Sequence, residues 1–218
     1  MISVAELLTD DRLPGNYFAN DIYVRGTLEL GLLENRRGDR LLALPDTLLK
    51  AIVAGLNNET GQATWFVLRN CGFWWGKNFY ARFSEELTDY YQKSVAELSM
   101  VEFTKALQEC WRTNGWGTLH LDVNYYGQGF LVVAIQNSPF TAHTLQPNQL
   151  SGALEVGVLQ AFFSQLSGRD LICVQTSCES LGADRNHFVL GLENRLQPVE
   201  AWVQEGLSHD TIMQSLAQ

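Results

Sequence analysis

At 218 residues and 46% hydrophobic content, the chain carries enough apolar material for one sizeable core, so a single domain is the default. Its 15 Lys and Arg against 24 Asp and Glu leave a net charge of -9, which repels polyanions and sets DNA and RNA aside as partners. The opening MISVAELLTDD lacks the basic start and apolar run of a signal peptide, and nowhere do 18 apolar residues run together, so the expectation is a cytoplasmic protein that meets a membrane only from outside.

In chain order, turn signals at Leu13-Pro14-Gly15-Asn16 and Arg37-Gly38-Asp39 bracket an irregular apolar stretch over 22–33. After Pro45, Asp46 can cap a helix in which Leu48, Leu49, Ile52, Val53 and Leu56 recur at three and four, closed by the 57–61 segment Asn-Asn-Glu-Thr-Gly. Residues 64–68 have the β-branched and aromatic look of a strand, yet Ala63, Phe66, Val67 and Asn70 also fit one helical face, so both readings stay open. Ser84 is expected to open a second helix running to Leu98. Ser99 and Glu102 then form a capping box for a helix whose inward face is Phe103, Ala106, Leu107, Cys110 and Trp111, stopped by Asn114-Gly115. That spacing assigns Cys110 to the core.

From Thr118 the period becomes two. Leu119, Leu121 and Val123 share a face, residues 124–129 turn the chain, and 130–135 return as an apolar strand, giving an antiparallel hairpin. Residues 136–148, with Pro139 and Pro147, read as the most mobile loop. A helix over 149–166, a turn at Gly168-Arg169-Asp170, strands over 171–176 and 187–192, a short helix begun by Pro198 and a last helix capped by Ser208 complete the chain. The order β-β-α-β-β-α groups strands in hairpins. It predicts an α+β fold, an antiparallel sheet of four to five strands backed by helices, with 1–218 one domain and 1–45 its N-terminal extension. No internal repeat or low-complexity segment appears.

Nucleotide-binding glycine loops, GxSxG, HExxH and paired CxxC motifs are all absent. The four histidines, His120, His143, His187 and His209, stand in unrelated contexts. Cys173, Cys178 and His187 flank one loop, but three ligands do not close a tetrahedral zinc site, and four scattered cysteines fit reduced thiols better than a disulfide framework. No metal or cofactor is therefore expected from motifs. Two segments are unusual for a plain core. The 70–80 run Asn-Cys-Gly-Phe-Trp-Trp-Gly-Lys-Asn-Phe-Tyr sets five aromatics among glycines without a clean period, fitting either the wall of a flat pocket or a helix-loop junction packed on the sheet. The other, 173–182, is a strand entering a polar turn, with an ordinary hairpin loop as the alternative.

These segments carry a resemblance. Leu44-Pro45 before a helix, Glu59-Thr60-Gly61, Cys71-Gly72-Phe73-Trp74-Trp75-Gly76, Gly168-Arg169-Asp170, and Thr176-Ser177-Cys178-Glu179-Ser180-Leu181-Gly182 leading to His187-Phe188-Val189-Leu190-Gly191 resemble the 4-vinyl reductase domain family. Pro14-Gly15-Asn16-Tyr17-Phe18 and Gln136-Asn137-Ser138-Pro139-Phe140 resemble its cyanobacterial branch. The resemblance implies the fold shared with the small subunits of the TRAPP tethering complex and with haem-type nitric-oxide sensor domains, built around an apolar cavity. It implies a hydrophobic ligand, a tetrapyrrole such as chlorophyll or a precursor, and a carrier or assembly role in photosystem biogenesis at the periphery of the thylakoid. Family members often bear a second cysteine shortly after the one matched by Cys178; here Ala183-Asp184-Arg185-Asn186-His187 offers none.

Under this reading the ligand-lining residues are Cys71, Phe73, Trp74, Trp75 and Phe79, joined by Trp116, Tyr126, Cys178 and His187, with no catalytic residue. The alternatives are an accessory subunit or enzyme of vinyl reduction, which would need another protein to supply electrons, and a scaffold pairing through helices as a homodimer. Photosystem assembly proteins are the expected protein partners.

Overall fold

The computed structural model describes residues 16–142 and 149–217. The turn at Leu13-Pro14-Gly15, His143 and Pro147 lie outside the described residues. By packing the chain divides into two compact units, one of Met1–Pro45 and Phe83–Gly115, the other of Asp46–Arg82 and Trp116–Gln218.

In the first unit, the stretch that reads as irregular holds helix α1 (Asn20–Tyr23) and a small antiparallel sheet, β1 (Arg25–Thr27), β2 (Leu32–Glu34) and β3 (Arg40–Leu41). Asn35 secures the β2-β3 turn: its Oδ1 accepts from the Arg37 and Asp39 amides, while its Nδ2 donates to Glu86 at 3.2 Å. Phe18 stacks on Phe83 at 5.6 Å, the rings 7° from parallel.

Helix α2 (Asp46–Thr60) starts at Asp46 as the sequence predicts, but none of its residues is buried. Helix α3 (Thr64–Tyr91) resolves the open reading of 64–68 as helix and absorbs the whole glycine-aromatic run, so that run is not a helix-loop junction. It also corrects the expected helix start at Ser84, which lies inside α3; the helix stops at Tyr91 and the 3-10 turn Val95–Glu97 follows. Helix α4 (Met100–Thr113) keeps its capping box, Ser99 Oγ accepting from the Glu102 amide, and buries Phe103, Ala106, Leu107, Cys110 and Trp111.

The second unit is organised on β4 (Thr118–Asp122), β5 (Leu131–Gln136), β6 (Ile172–Ser177) and β7 (Asn186–Gly191), with helix α5 (Ala153–Ser167) between β5 and β6. The order is β4-β5-β7-β6 and every pairing is antiparallel. Alternation sorts the side chains. Phe130, Val132, Val174 and Val189 meet Leu196, Val199, Ile212, Met213 and Leu216, contributed by α6 (Glu193–Leu196), α7 (Val199–Gln204) and α8 (His209–Leu216). The opposite face, including Gln175 and Phe188, turns toward the start of α5, where Gly152 touches both.

Helix α5 is apolar nearly all round and buries all of 155–163, as a helix covered on every side must. Its partner is α3, and glycines permit the crossing. A Cβ added at Gly72 would overlap the Leu154 carbonyl, one at Gly157 would overlap the Arg69 carbonyl, and one at Gly76 would stand 2.5 Å from Val158 O. Each of these glycines costs about 1 kcal/mol of helix propensity relative to alanine. The close backbone approach offsets that cost.

Candidate functional site

Trp75 and Phe79, one turn apart on α3, point the same way. Trp116 reaches them from the turn before β4, where Gly115 and Gly117 both take positive φ, 73° and 95°. Trp75 meets Trp116 edge-on at 5.0 Å and Phe140 at 5.7 Å. Phe79 meets Trp116 at 5.3 Å and Phe162 of α5 at 5.1 Å. The result is an aromatic layer in which Phe79 and Phe162 are buried and both indoles are half-buried at the rim.

The turn that supplies Phe140 also carries a polar cluster. Ser138 Oγ donates to Glu155 Oε1 at 2.8 Å and accepts from the Phe140 amide at 3.1 Å. Ser151 Oγ donates to Thr141 O at 2.7 Å and lies 3.2 Å from Cys178 Sγ, which lies 3.0 Å from Ser180 Oγ. Behind it, Glu179 accepts from Asn186 Nδ2 and from the Asn137 amide. Glu155 is 0% exposed. Burial pushes its carboxyl up to about 8, against the Ser138 hydrogen bond and with help from the Glu179 charge, so at neutral pH it is mainly the neutral acid, able to donate as well as accept. Among the described residues, its Oε2 and the buried Thr141 Oγ1 have no hydrogen-bond partner.

Of the residues singled out from sequence, Trp75, Phe79 and Trp116 come together. Cys178 joins them through Ser151 and the 138–141 turn. Cys71 is exposed, Trp74 is 67% exposed and Tyr126 is 69% exposed. Phe73 is half-buried beneath the Lys77 ammonium at 4.7 Å. His187 sits elsewhere, its Nδ1 2.7 Å from Ser177 Oγ and its ring stacked 4.0 Å from His209, whose Nδ1 is 2.8 Å from Thr176 Oγ1. Cys173 is buried and burial raises its thiol. Among the described residues, no group of three or more His, Cys, Asp or Glu is placed to hold a metal, and no helix is long and apolar enough to cross a membrane.

Glu155, Ser138, Thr141 and Ser151 escaped sequence reading. One signal was present: Glu155 is the one acid in a 153–163 stretch that is otherwise apolar but for Gln160, and a buried acid demands a partner.

The histidine stack makes a pH prediction. Burial first, then the neighbouring His187, pushes His209 from 6.5 down to about 4; burial and Arg185 lower His187, while Asp210 and Asp122 act to raise both. Below pH 6.5 the unfolded chain takes up protons that the folded rings resist, so the contribution of this pair to stability should fall as pH drops from 6.5 toward 4. Urea unfolding between these limits should show wild type losing stability relative to His209→Gln as pH drops. Equal slopes contradict the assignment.

With the geometry in hand, known proteins provide a frame. The V4R domain model matches residues 131–192. No curated protein matches. The phenol-responsive sensory domain of the transcription activator PoxR, solved with phenol, is similar at TM-score 0.62 and 12% identity, over 84% of this chain and 90% of that one. A trafficking protein particle complex subunit 3 from Naegleria fowleri, covalently bound to palmitic acid, is similar at TM-score 0.52 and 13% identity, over 67% and 92%. A vinyl-4-reductase family protein from Methanocaldococcus jannaschii gives TM-score 0.44 and 14% identity over 69% and 82%. The α+β fold expected from sequence is thus shared with solved ligand-bound domains, and the matched segment contains Ser138, Ser151, Glu155 and Cys178. The similarity to the V4R domain model spans residues 131–192, somewhat under a third of this chain.

Proposed function

We propose that this chain is a non-catalytic binding protein for a hydrophobic small molecule bearing a polar group, held between the aromatic layer of Trp75, Phe79 and Trp116 and the polar cluster around Glu155. The observation that carries it is that Glu155 Oε2 and Thr141 Oγ1, both buried, have no hydrogen-bond partner among the described residues. Each such atom costs about 1–3 kcal/mol when left unmade, and a ligand hydroxyl, carbonyl or carboxyl that reaches either one recovers part of that energy. The similar folds of a phenol sensor and a palmitate-bound subunit support a site of this kind. Within the class, the 4-vinyl reductase resemblance favours a tetrapyrrole of the chlorophyll series, the chain acting as its carrier or as an assembly factor in photosystem biogenesis. A flat macrocycle suits the two half-buried indoles.

Magnesium protoporphyrin and p-cresol, titrated separately while tryptophan fluorescence is recorded, test this. Saturable quenching by the porphyrin, weakened about tenfold or more by Trp116→Ala and untouched by the exposed Trp74→Ala, is the expected result. Binding of cresol alone retains a small-aromatic site and removes the tetrapyrrole. Response to neither defeats the proposal.

A second reading is favoured by α2. Leu48 is 42% and Ile52 48% exposed, and Phe66 on α3 is 61% exposed, an apolar surface of the kind that marks protein contacts. It supports a scaffold that pairs through helices as a homodimer. Light scattering at micromolar concentration should give a dimer, and the double change Leu48→Glu, Ile52→Glu a monomer of unchanged melting temperature. A monomeric wild type removes this reading.

A further inference from the structure

A cleft of about 690 Å3 is lined by none of the residues of the site above. Four consecutive strand residues, Ile172, Cys173, Val174 and Gln175, all line it. Successive strand side chains point to opposite faces, so a cleft touched by all four runs along the strand's edge. β6 is the last strand in the order, and among the described residues none pairs with its outer side. Every second peptide group of β6 therefore presents its N–H and C=O toward the cleft.

Around that edge, Trp65 and Phe66 of α3 form one wall and Val203 of α7 contributes to the other. Gln62, Gln149 and Gln204 add carboxamides, each able to donate and accept as a peptide group does. Such a lining is too polar and open for an apolar guest and well suited to a main chain. Its charge selects further. Arg69 is engaged, donating to Gln160 Oε1 at 2.8 Å and lying over the Trp65 ring at 5.7 Å. Glu193 and Glu200, both exposed, have no described cation paired with them.

We propose that this cleft is a strand-addition site for an extended, basic segment of a partner protein. The segment pairs its backbone with β6 over about 13 Å, the length of four strand residues, sets apolar side chains against Trp65 and Val203, and aims lysine or arginine at Glu193 and Glu200. The site goes beyond the small-molecule reading and shares no lining residue with it.

The test uses the full chain and three acetylated, amidated hexapeptides: one alternating valine with lysine, the same peptide with glutamate for lysine, and the lysine peptide N-methylated at alternate amides. The lysine peptide should bind about tenfold or more tighter than the glutamate one, a preference falling with added salt and lost in the Glu193→Gln, Glu200→Gln double variant. N-methylation should abolish binding, and hydrogen exchange should slow at 172–177 in the complex. Absence of binding at about 1 mM, equal binding of both charge types, tolerance of N-methylation, or competitive displacement by magnesium protoporphyrin would each overturn the proposal. Displacement would identify the cleft as the small-molecule site, whereas failure of peptide binding alone leaves the tryptophan titration unaffected.

Discussion

Gly157→Ala should lower the melting temperature by about 4–8 °C. The added Cβ meets the Arg69 carbonyl, and the Phe73 amide and Gly72 lie just beyond it, so no rotamer change relieves the overlap. The helices must separate. Overpacking of this kind costs about 1–3 kcal/mol and more where backbone is involved, against a helix-propensity gain of at most about 1 kcal/mol. In a chain of this size each kcal/mol moves the midpoint by roughly 2–4 °C. Gly72→Ala should behave alike, because its Cβ meets the Leu154 carbonyl. Gly55→Ala is the control: a Cβ there meets nothing within 4 Å, so it should be neutral or stabilising by about 0.5–1 kcal/mol. Thermal unfolding followed by circular dichroism decides it. Coincident curves for wild type and Gly157→Ala would mean that α3 and α5 do not cross in contact.

The second large effect belongs to Glu155. Its carboxyl stands at about 8 in the fold against an ordinary 4.5. Below pH 4.5 both states hold the proton and burial carries no ionisation penalty. Between pH 4.5 and 8 the unfolded chain releases a proton that the folded chain retains, so stability is lost as pH rises, and the loss levels off above 8. At neutral pH the penalty is at most about 3 kcal/mol. Glu155→Gln keeps an acceptor for Ser138 and has no proton to lose, so it should stabilise the empty protein at pH 7 by up to that amount and flatten this part of the profile. It should also weaken ligand binding, since the amide presents a different donor to the guest. A variant less stable than wild type at pH 7 would show that the acid is needed by the fold rather than by a ligand.

Much of the sheet was legible because alternation is a local signal. The faces of 118–123 and the apolar return over 130–135 predict the β4-β5 hairpin, and the capping box at Ser99 marks the start of α4. Helix α3 was not legible. Its inward face is set by glycines that must approach a carbonyl of α5, so apolar periodicity fades where packing is tightest. Ser84 looked like a cap, but a serine marks a helix start only where backbone amides lack carbonyl partners. Helix α2 shows the opposite limit: Leu48, Leu49 and Ile52 form a proper apolar stripe, yet nothing among the described residues buries it. The same helical geometry divides neighbouring aromatics. Trp75 enters the aromatic layer while Trp74, about 100° around the helix, goes to solvent. The polar cluster depends on contacts between residues 10 to 27 positions apart, which no local pattern encodes.

The most direct measurement is made on protein purified from its own source, by absorption spectroscopy and mass spectrometry of an organic extract. About one apolar molecule per chain is expected, with a Soret band if it is a tetrapyrrole, and its loss from Trp116→Ala protein isolated in the same way. A colourless protein whose extract holds no apolar molecule, and which binds neither magnesium protoporphyrin nor p-cresol, would contradict this.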